Sequence, residues 1–546
     1  MSNNMSRRDF LRLSAIVALE TALFPLAASR PAMAATPAAG ATALSPSPSS
    51  PEVELAYLAV DEQIRRFKAG TLSPVDVLEA QIARIKELNG PLNISNDEPR
   101  DFMNFNGKIN AVAYEHFDQA RKAAKESEAR YKAGTARALE GITVAVKDEN
   151  DVEGWRVSMG SLPLKDAPLC EENTAIIDKL LEAGAVLHIQ TTVPELYVHI
   201  QTWSRLWGVT RNPWNLHYAV GGSSGGSGAA LAAGFATLAT GSDMGGSIRI
   251  PSSQCGVYGF RPPFGRVATS EISFETLGPM ARTFDDLVRM QNVVCGPHPK
   301  SHASIRPKLE YPTEYESLKG VKIALDYFGG WIDAGVDDTV RKSLSDAADA
   351  LRSQGAIVDE IDLGWKKDLI YETFAKGLMS TAMGEMLLTA REFKDKMTTY
   401  ASKFLDVMSA TGPAEMARSD ELTTMLHRQL QEEVYGKGYA ALIMPTLLTP
   451  YLPATNDPTK DMVYINGKTV PGMDFVVTYP WNLLSRYPVV DVPVGVADNN
   501  VPIGMQVIGN TFDDLAAFRV AYGYSRAGLR LYQGEAFPDG RNVVVH

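Results

Sequence analysis

The stretch GGSSGGSG, Gly221 to Gly228, decides how the chain is read. It has no charge, no aromatic ring and no branched apolar side chain, so it cannot supply a core of its own. Four readings compete: a linker, a phosphate-cradling loop, a nucleophile elbow, and a loop that works together with a second segment downstream. A flexible linker needs a change of composition on both sides. Here AALAAGFATLATGSD (Ala229 to Asp243) follows, and its small residues suit a tightly packed helix running into a short strand. A Walker-type loop would close in Gly-Lys-Ser/Thr, whereas Gly226 is followed by Ser227 and Gly228. GxSxG fits at Ser223 and again at Ser224, but an elbow follows a buried strand and needs an Asp and a His. RNPWNLHYAV (Arg211 to Val220) is no such strand, and His298, His302, His427 and His546 have undistinguished contexts.

The fourth reading rests on SDMGGSIRIPSSQCGVYGFRP, Ser242 to Pro262, whose second Gly-Gly-Ser places Ser247 24 residues after Ser223. Gly245 and Gly246 permit a sharp turn in which consecutive N–H groups converge, the way an oxyanion hole is built beside a nucleophile. Asp243 and Arg249 flank this turn and either pair to hold it rigid or form a solvated surface pair. Upstream, the apolar run ITVAV (Ile142 to Val146) ends in Lys147-Asp148. Taken alone, a lysine at the mouth of a buried strand is more often a solvent-facing cap than a base.

The bulk properties narrow the setting. The chain has 546 residues, 45% of them apolar, enough for a large core. A net charge of −11 argues against general binding to nucleic acid or to an anionic membrane surface. Cys170, Cys255 and Cys295 show no CxxC spacing, and the eight histidines form no HExxH, so nothing calls for a metal site or a disulfide framework.

The amino-terminal residues differ in kind. SRRDFL (Ser6 to Leu11) precedes a mostly apolar run, and Ala32-Met33-Ala34 gives an A-x-A cleavage pattern. Residues 1–34 therefore read as an export signal of twin-arginine type, directing the protein to the periplasm or outside the cell. Glu20 inside the apolar run argues against a permanent membrane anchor. Residues 35–54, rich in Ala, Ser and Pro, read as a tether.

Beyond it, Ser73 and Pro74 mark a helix start, with Val75, Leu78, Ile82 and Ile85 on one face. Gly90 to Gly107 reads as a polar surface insertion. ITVAV, AVLHI (Ala185 to Ile189), VKIALDY (Val321 to Tyr327), AALIM (Ala440 to Met444) and MQVIG (Met505 to Gly509) read as strands buried on both faces. Helical patterns alternate with them, including one ending at Gly184, and Trp365 to Tyr439 is largely helical, mostly core but with part of it available as a pocket wall. The alternation predicts an α/β protein, a sheet between helical layers.

Taken in order, VAVKDENDVEG, TTVPELYVHIQTWSRLWGVTRNPW, GGSSGGSGAALAAG, SDMGGSIRIPSSQCGVYGFRP, GPMARTFDDL, FVVTYPWNLLSRYPVVDVPVG and PIGMQVIG resemble the amidase signature family of serine hydrolases. The resemblance spans about residues 55 to 530. It implies a single large α/β/α domain over 55–546 with a mixed central sheet, and a Ser–cis-Ser–Lys triad. By motif position Ser247 is then the nucleophile, Ser223 the bridging serine, which also contacts substrate, and Lys147 the base. The implied oxyanion hole is the N–H groups of Met244, Gly245, Gly246 and Ser247. Tyr197 falls where relatives contact the acyl part of the substrate, and Ser224, Asp243 and Arg249 support the loops.

The chemistry is coherent. A serine hydroxyl attacks only when a base takes its proton, a neutral lysine can be that base, burial favours the neutral form, and an intervening hydroxyl both donates and accepts. Two departures stand out: Glu149 and Asn150 replace an Asn and an apolar residue, and Pro263-Phe264 alter the segment after Arg261-Pro262. Neither is expected to touch the triad, though both bear on the pocket mouth. Trp203, Trp207 and Trp214 either line an acyl site with Tyr197 or simply pack.

The expectation is an exported amidase acting on a small, aryl or peptidyl amide without metal or organic cofactor, with a homodimer left open. An esterase or carbamate hydrolase would use the same acyl-enzyme. An exported solute-binding protein would share the signal but have no need of a triad, and export argues against a glutaminase component of a transamidation complex.

Overall fold

Short apolar runs bounded by turn residues cannot complete a helix, and here they pair edge to edge. The computed structural model describes residues 51–90, 107–269, 272–381, 390, 392–409, 413–533 and 537–538. The export segment, most of the tether and most of the 90–107 insertion lie outside them. Residues 51–54, assigned to the tether from sequence, instead open a helix, Pro51–Tyr57. Proline suits a first helical turn, and Tyr57 docks the helix by donating to Ala232 O at 2.8 Å.

Eleven strands form one sheet: β1 Val112–Glu115, β2 Thr143–Lys147, β3 Val186–Thr191, β4 Leu238–Asp243, β5 Tyr258–Arg261, β6 Thr276–Ala281, β7 Lys322–Leu325, β8 Ile357–Glu360, β9 Ala441–Pro445, β10 Val489–Val496 and β11 Pro502–Gly509. Their spatial order is β1-β3-β2-β4-β6-β5-β10-β11-β9-β7-β8. β3, β2 and β4 are mutually parallel, as are β9, β7 and β8. The strands between β4 and β9 are paired antiparallel. All five runs picked out as strands are in the sheet, and helices flank it as expected for the α/β class.

The helix α1, Pro74–Leu88, begins at Ser73, whose Oγ accepts from Val75 N and Asp76 N while Ser73 N donates back to the Asp76 carboxylate. Reciprocal bonds of this kind satisfy N–H groups that a helix start leaves unpaired. The helices α2 (Gly225–Ala232) and α3 (Arg249–Cys255) are wholly buried against the sheet and each other. α2 can lie this close because its first turn is glycine and serine. A Cβ on Gly226 would sit 2.5 Å from Thr192 O. The Trp365 to Tyr439 stretch gives α4 (Lys367–Thr381), α5 (Thr399–Ser409) and α6 (Pro413–Glu433). Among the described residues no helix is long and apolar enough to cross a membrane.

Gly226→Ala should destabilise the protein by about 1–3 kcal/mol, the usual cost of overpacking, read as a lowered urea midpoint. An unchanged midpoint would contradict this account of the close α2 contact.

Candidate active site

Because β2 and β4 run parallel and adjacent, their carboxyl ends, Lys147 and Asp243, emerge at the same edge of the sheet. Lys147 N donates to Thr240 Oγ1 at 2.9 Å, which fixes this end of β2 against β4. The Lys147 side chain is wholly buried, so the solvent-facing cap is excluded. Its Nζ lies 2.8 Å from Ser223 Oγ and 2.6 Å from Ser242 Oγ. Ser223 sits at the amino end of α2, after a cis Gly222–Ser223 peptide.

Ser247 precedes α3 and lines the same cavity as Ser223. The two Gly-Gly-Ser segments are tied together by Ser224, whose N–H donates to Ser247 O at 3.2 Å. The Ser224 hydroxyl donates to Ser242 O and accepts from Ser242 N, both at 3.3 Å.

The turn between β4 and α3 is organised by a buried ion pair rather than a surface one. Arg249 Nη2 and Nε reach the two Asp243 carboxylate oxygens at 2.8 and 2.9 Å. Arg249 also donates to Thr478 O, Gln506 Oε1 and Asn482 Oδ1. Burial opposes ionisation of Asp243, but Arg249, with Arg261 behind it, outweighs that and holds the carboxyl down at about 2. Asp243 further accepts from Gly246 N at 2.9 Å and Ile248 N at 3.2 Å.

The bond from Gly246 removes one of the four N–H groups expected in the oxyanion hole. Met244, Gly245 and Ser247 remain, and all three line the cavity. Gly246 has φ +122°, and a Cβ there would run into Thr478 Oγ1, so the position admits glycine alone.

The cavity measures about 400 Å³, a size suited to a small organic molecule. Its aromatic lining is Tyr197, Tyr371, Phe374, Tyr400, Phe404 and Tyr479. Tyr197 takes the left-handed conformation, φ +63°, directly after Leu196 at φ +53°. This double bend sets its ring 5.1 Å from Lys147 Nζ while its hydroxyl donates to Asp148 O at 3.0 Å. Burial, with the charges of Glu149 and Asp148, pushes the Tyr197 phenol well above its ordinary range. Asp148 is itself buried, which pushes its carboxyl up to about 7 against hydrogen bonds from Ser158 and Gly160.

The three tryptophans are packing residues and do not line the cavity. Trp203 backs Tyr400 edge-on at 4.7 Å, Trp207 abuts Tyr114, and Trp214 donates to Cys255 O. Tyr400 and Phe404 come from α5 and Tyr371 and Phe374 from α4, so the helical stretch does form a cavity wall. Their i, i+3 and i, i+4 spacings within a Met- and Leu-rich region carry no mark distinguishing wall from core.

Glu149 corrects the sequence reading outright. Sequence sets it apart from the triad, yet its Oε2 is 2.6 Å from Lys147 Nζ and accepts the Ser242 hydroxyl at 2.6 Å. Burial works against its ionisation, but the Lys147 charge and these hydrogen bonds win and hold its carboxyl below the usual range. Phe264 lies elsewhere, with its N–H on Ser485 O and its ring under Arg486. Ser242, the hub linking Lys147, Glu149 and Ser224, is not singled out by sequence. Its only signal is its place at the end of β4, one residue before Asp243.

A buried lysine held to a serine, with a second serine in the same cavity, can be compared with known proteins. The family model described as Amidase matches residues 101–517. The chain belongs to the amidase family. It is an amidase signature enzyme, of a family acting on C–N bonds. It is 30% identical to a glutamyl-tRNA(Gln) amidotransferase component from Carboxydothermus hydrogenoformans, over 87% of this chain and 98% of that protein. Among solved structures it resembles a bacterial aryl acylamidase of the amidase signature family, with a TM-score of 0.78 and 27% identity, covering 90% of this chain and 100% of that one. A 6-aminohexanoate cyclic dimer hydrolase shares the fold, with a TM-score of 0.73 at 22% identity, covering 89% of this chain and 100% of that one.

Asp243→Asn should cost about 3–5 kcal/mol, because it leaves Arg249 buried without its counter-charge. The folded Asp243 value lies below the unfolded one of about 3.9, so its stabilisation is full above pH 4 and fades as pH falls through about 2. Denaturant melts between pH 2 and 5 should therefore show a shallower acid loss in the variant than in the parent.

Proposed function

We propose that this enzyme hydrolyses the C–N bond of an aryl, peptidyl or other small carboxylic amide through a seryl acyl-enzyme. The observation that carries the reading is the buried Lys147–Ser223 hydrogen bond, with Ser223 and Ser247 lining one aromatic cavity. In this reading Ser247 attacks the amide carbonyl and its proton passes to Ser223 and on towards Lys147. The carbonyl oxygen, now negative, is met in this reading by N–H groups of Met244, Gly245 and Ser247, which line the cavity. The C–N bond then breaks, the departing nitrogen takes the proton back along the relay, and water hydrolyses the acyl-enzyme.

Substrate class follows from the walls. Six aromatic rings with Ile250, Ile272 and Met473 favour an apolar or aromatic group. The same acyl-enzyme would open esters and carbamates, so these belong in the substrate panel. A transamidation role, suggested by the name of the Carboxydothermus relative, is the second reading, and its support is the 30% identity. The apolar cavity favours the hydrolase. A solute-binding role leaves the Lys147–Ser223 arrangement without a purpose. We also infer export from Arg7, Arg8 and the Ala32–Ala34 pattern. Replacing both arginines with lysine should retain the protein in the cytoplasm of a host with a twin-arginine pathway.

Ser247→Ala should abolish both turnover of an anilide and labelling by a fluorophosphonate. Label on Ser223 instead would revive the elbow reading. Lys147→Ala should lower kcat near pH 7 by about a hundredfold or more, the common weight of general-base catalysis. Across the panel, anilides should exceed acetamide in kcat/KM, and a preference for free glutamine would favour the transamidation reading.

A further inference from the structure

Lys147 Nζ has three neighbours at bonding distance: Ser223 Oγ at 2.8 Å, Ser242 Oγ at 2.6 Å and Glu149 Oε2 at 2.6 Å. An ammonium has three N–H donors and no lone pair. Three oxygen partners, one of them a carboxylate, suit an ammonium, and in that form Lys147 can take a proton from Ser223 only by releasing one in the same event. Two of the three neighbours are hydroxyls, far too weakly basic to keep a proton. Glu149 is the acceptor of the right chemistry. It is reached directly from Nζ and also through Ser242, which receives a bond from Nζ and donates one to Glu149 Oε2 at 2.6 Å.

We propose that the base of this enzyme is the Lys147–Glu149 pair, with Glu149 holding the proton that leaves Ser247. The proposal rests on the acyl-enzyme reading above and adds a residue to it. As the Ser247 oxygen forms its bond to the carbonyl carbon, its proton moves to Ser223. The Ser223 proton moves to Lys147 Nζ, and one N–H proton of Lys147 moves to Glu149. The carbonyl π pair becomes the oxyanion. Lys147 ends with the charge it began with, and Glu149 ends neutral. When the C–N bond breaks, the electron pair goes to nitrogen, which takes a proton from Ser223 as Glu149 returns its own through Lys147. Lys147 keeps its single positive charge throughout, and the negative charge lost at Glu149 reappears on the oxyanion.

The surroundings suit this role. Titratable groups near Glu149 are Lys147 and Asp148 in its own segment, Tyr197, whose ring lies 5.1 Å from Lys147 Nζ, and Glu275. Glu275 lines the same cavity as Glu149. Lys403 and His199 line the same cavity. Lys147 favours the ionised form of the Glu149 carboxyl against the opposing effect of burial, so a carboxylate stands beside Nζ.

The test is the pH profile of kcat on an anilide for the parent, Glu149→Gln and Glu149→Asp, with fluorophosphonate labelling of each. In the parent the loss on the acid side tracks protonation of Glu149, so kcat should stay flat from pH 8 down to about 5, above the ordinary range of a carboxylic acid. In Glu149→Gln, Lys147 must work as the neutral amine. Its kcat at pH 6 should fall at least about tenfold, with activity climbing as pH rises through 8 and beyond. Glu149→Asp, which keeps a carboxylate, should restore the flat profile at a reduced kcat.

A Glu149→Gln profile that coincides with the parent, or that moves towards acid, overturns the proposal, since Glu149 would then be inert or would merely hold Lys147 charged. A parent whose own profile climbs through pH 8 overturns it without any variant being folded. A parent that takes no label on Ser247 overturns the acyl-enzyme reading and this inference together, whereas label on Ser247 with an unmoved profile overturns only the inference.

Discussion

The buried pair of Asp243 and Arg249 is the constraint on which the site is assembled. Two charges out of water are costly unless every lone pair and N–H is matched. Here the matching is done by the pieces that must be held: the backbone of Gly246 and Ile248, the Thr478 carbonyl, and the amides of Asn482 and Gln506. β4, the Ser247 turn, the short Pro480–Leu483 helix and β11 are thereby locked to one centre. Desolvation that would be a liability elsewhere is what makes the turn single-valued. The Gly246 N–H is bonded to this centre, so rigidity of the turn is set by the same group that the family resemblance assigned to the oxyanion.

A second layer of charge sits beside the first without merging with it. Lys147 and Glu149 form a neutral ion pair at the end of β2, and Arg249 and Asp243 form another at the end of β4. Parallel adjacency of the two strands brings both to one edge, with Ser242 and Ser224 as the hydroxyl spacers between them. Each pair cancels its own charge locally, which leaves the apolar cavity free of a strong field from either.

Much of this is legible in the chain. Local chemistry marks the two Gly-Gly-Ser turns, and the family resemblance is what joins them to Lys147 in one site. The Ser73-Pro74 helix start and the five buried strands are equally readable, because periodicity and capping act over a few residues. β5, β6 and β10 are not singled out, since YGFR, TLGPMA and VVDVPVGV carry Gly or Pro that weakens any strand signal. They hold as strands because neighbours on both sides saturate them. Glu149 is misplaced for a related reason. Its side chain turns back onto a residue only two positions earlier, and the loop that permits this is shaped by Asp148 bonding to Ser158 and Gly160, a contact no sequence pattern announces. For the three tryptophans sequence leaves lining and packing both open, and the structure places them in three separate packing clusters.

The aromatic wall on α4 and α5 comes from a part of the chain remote from every residue of the Lys147–Ser223–Ser247 group. Lys147 ends a strand of the sheet and Ser223 and Ser247 stand just before the two buried helices packed on it, where a change of one atom disturbs several partners. Tyr371, Phe374, Tyr400 and Phe404 of the cavity wall stand instead on the helices α4 and α5. Such a separation lets the two parts accumulate substitutions at different rates. A lineage can acquire a new diet by exchanging a few rings on these helices, and the inherited reaction at the sheet edge carries over unaltered.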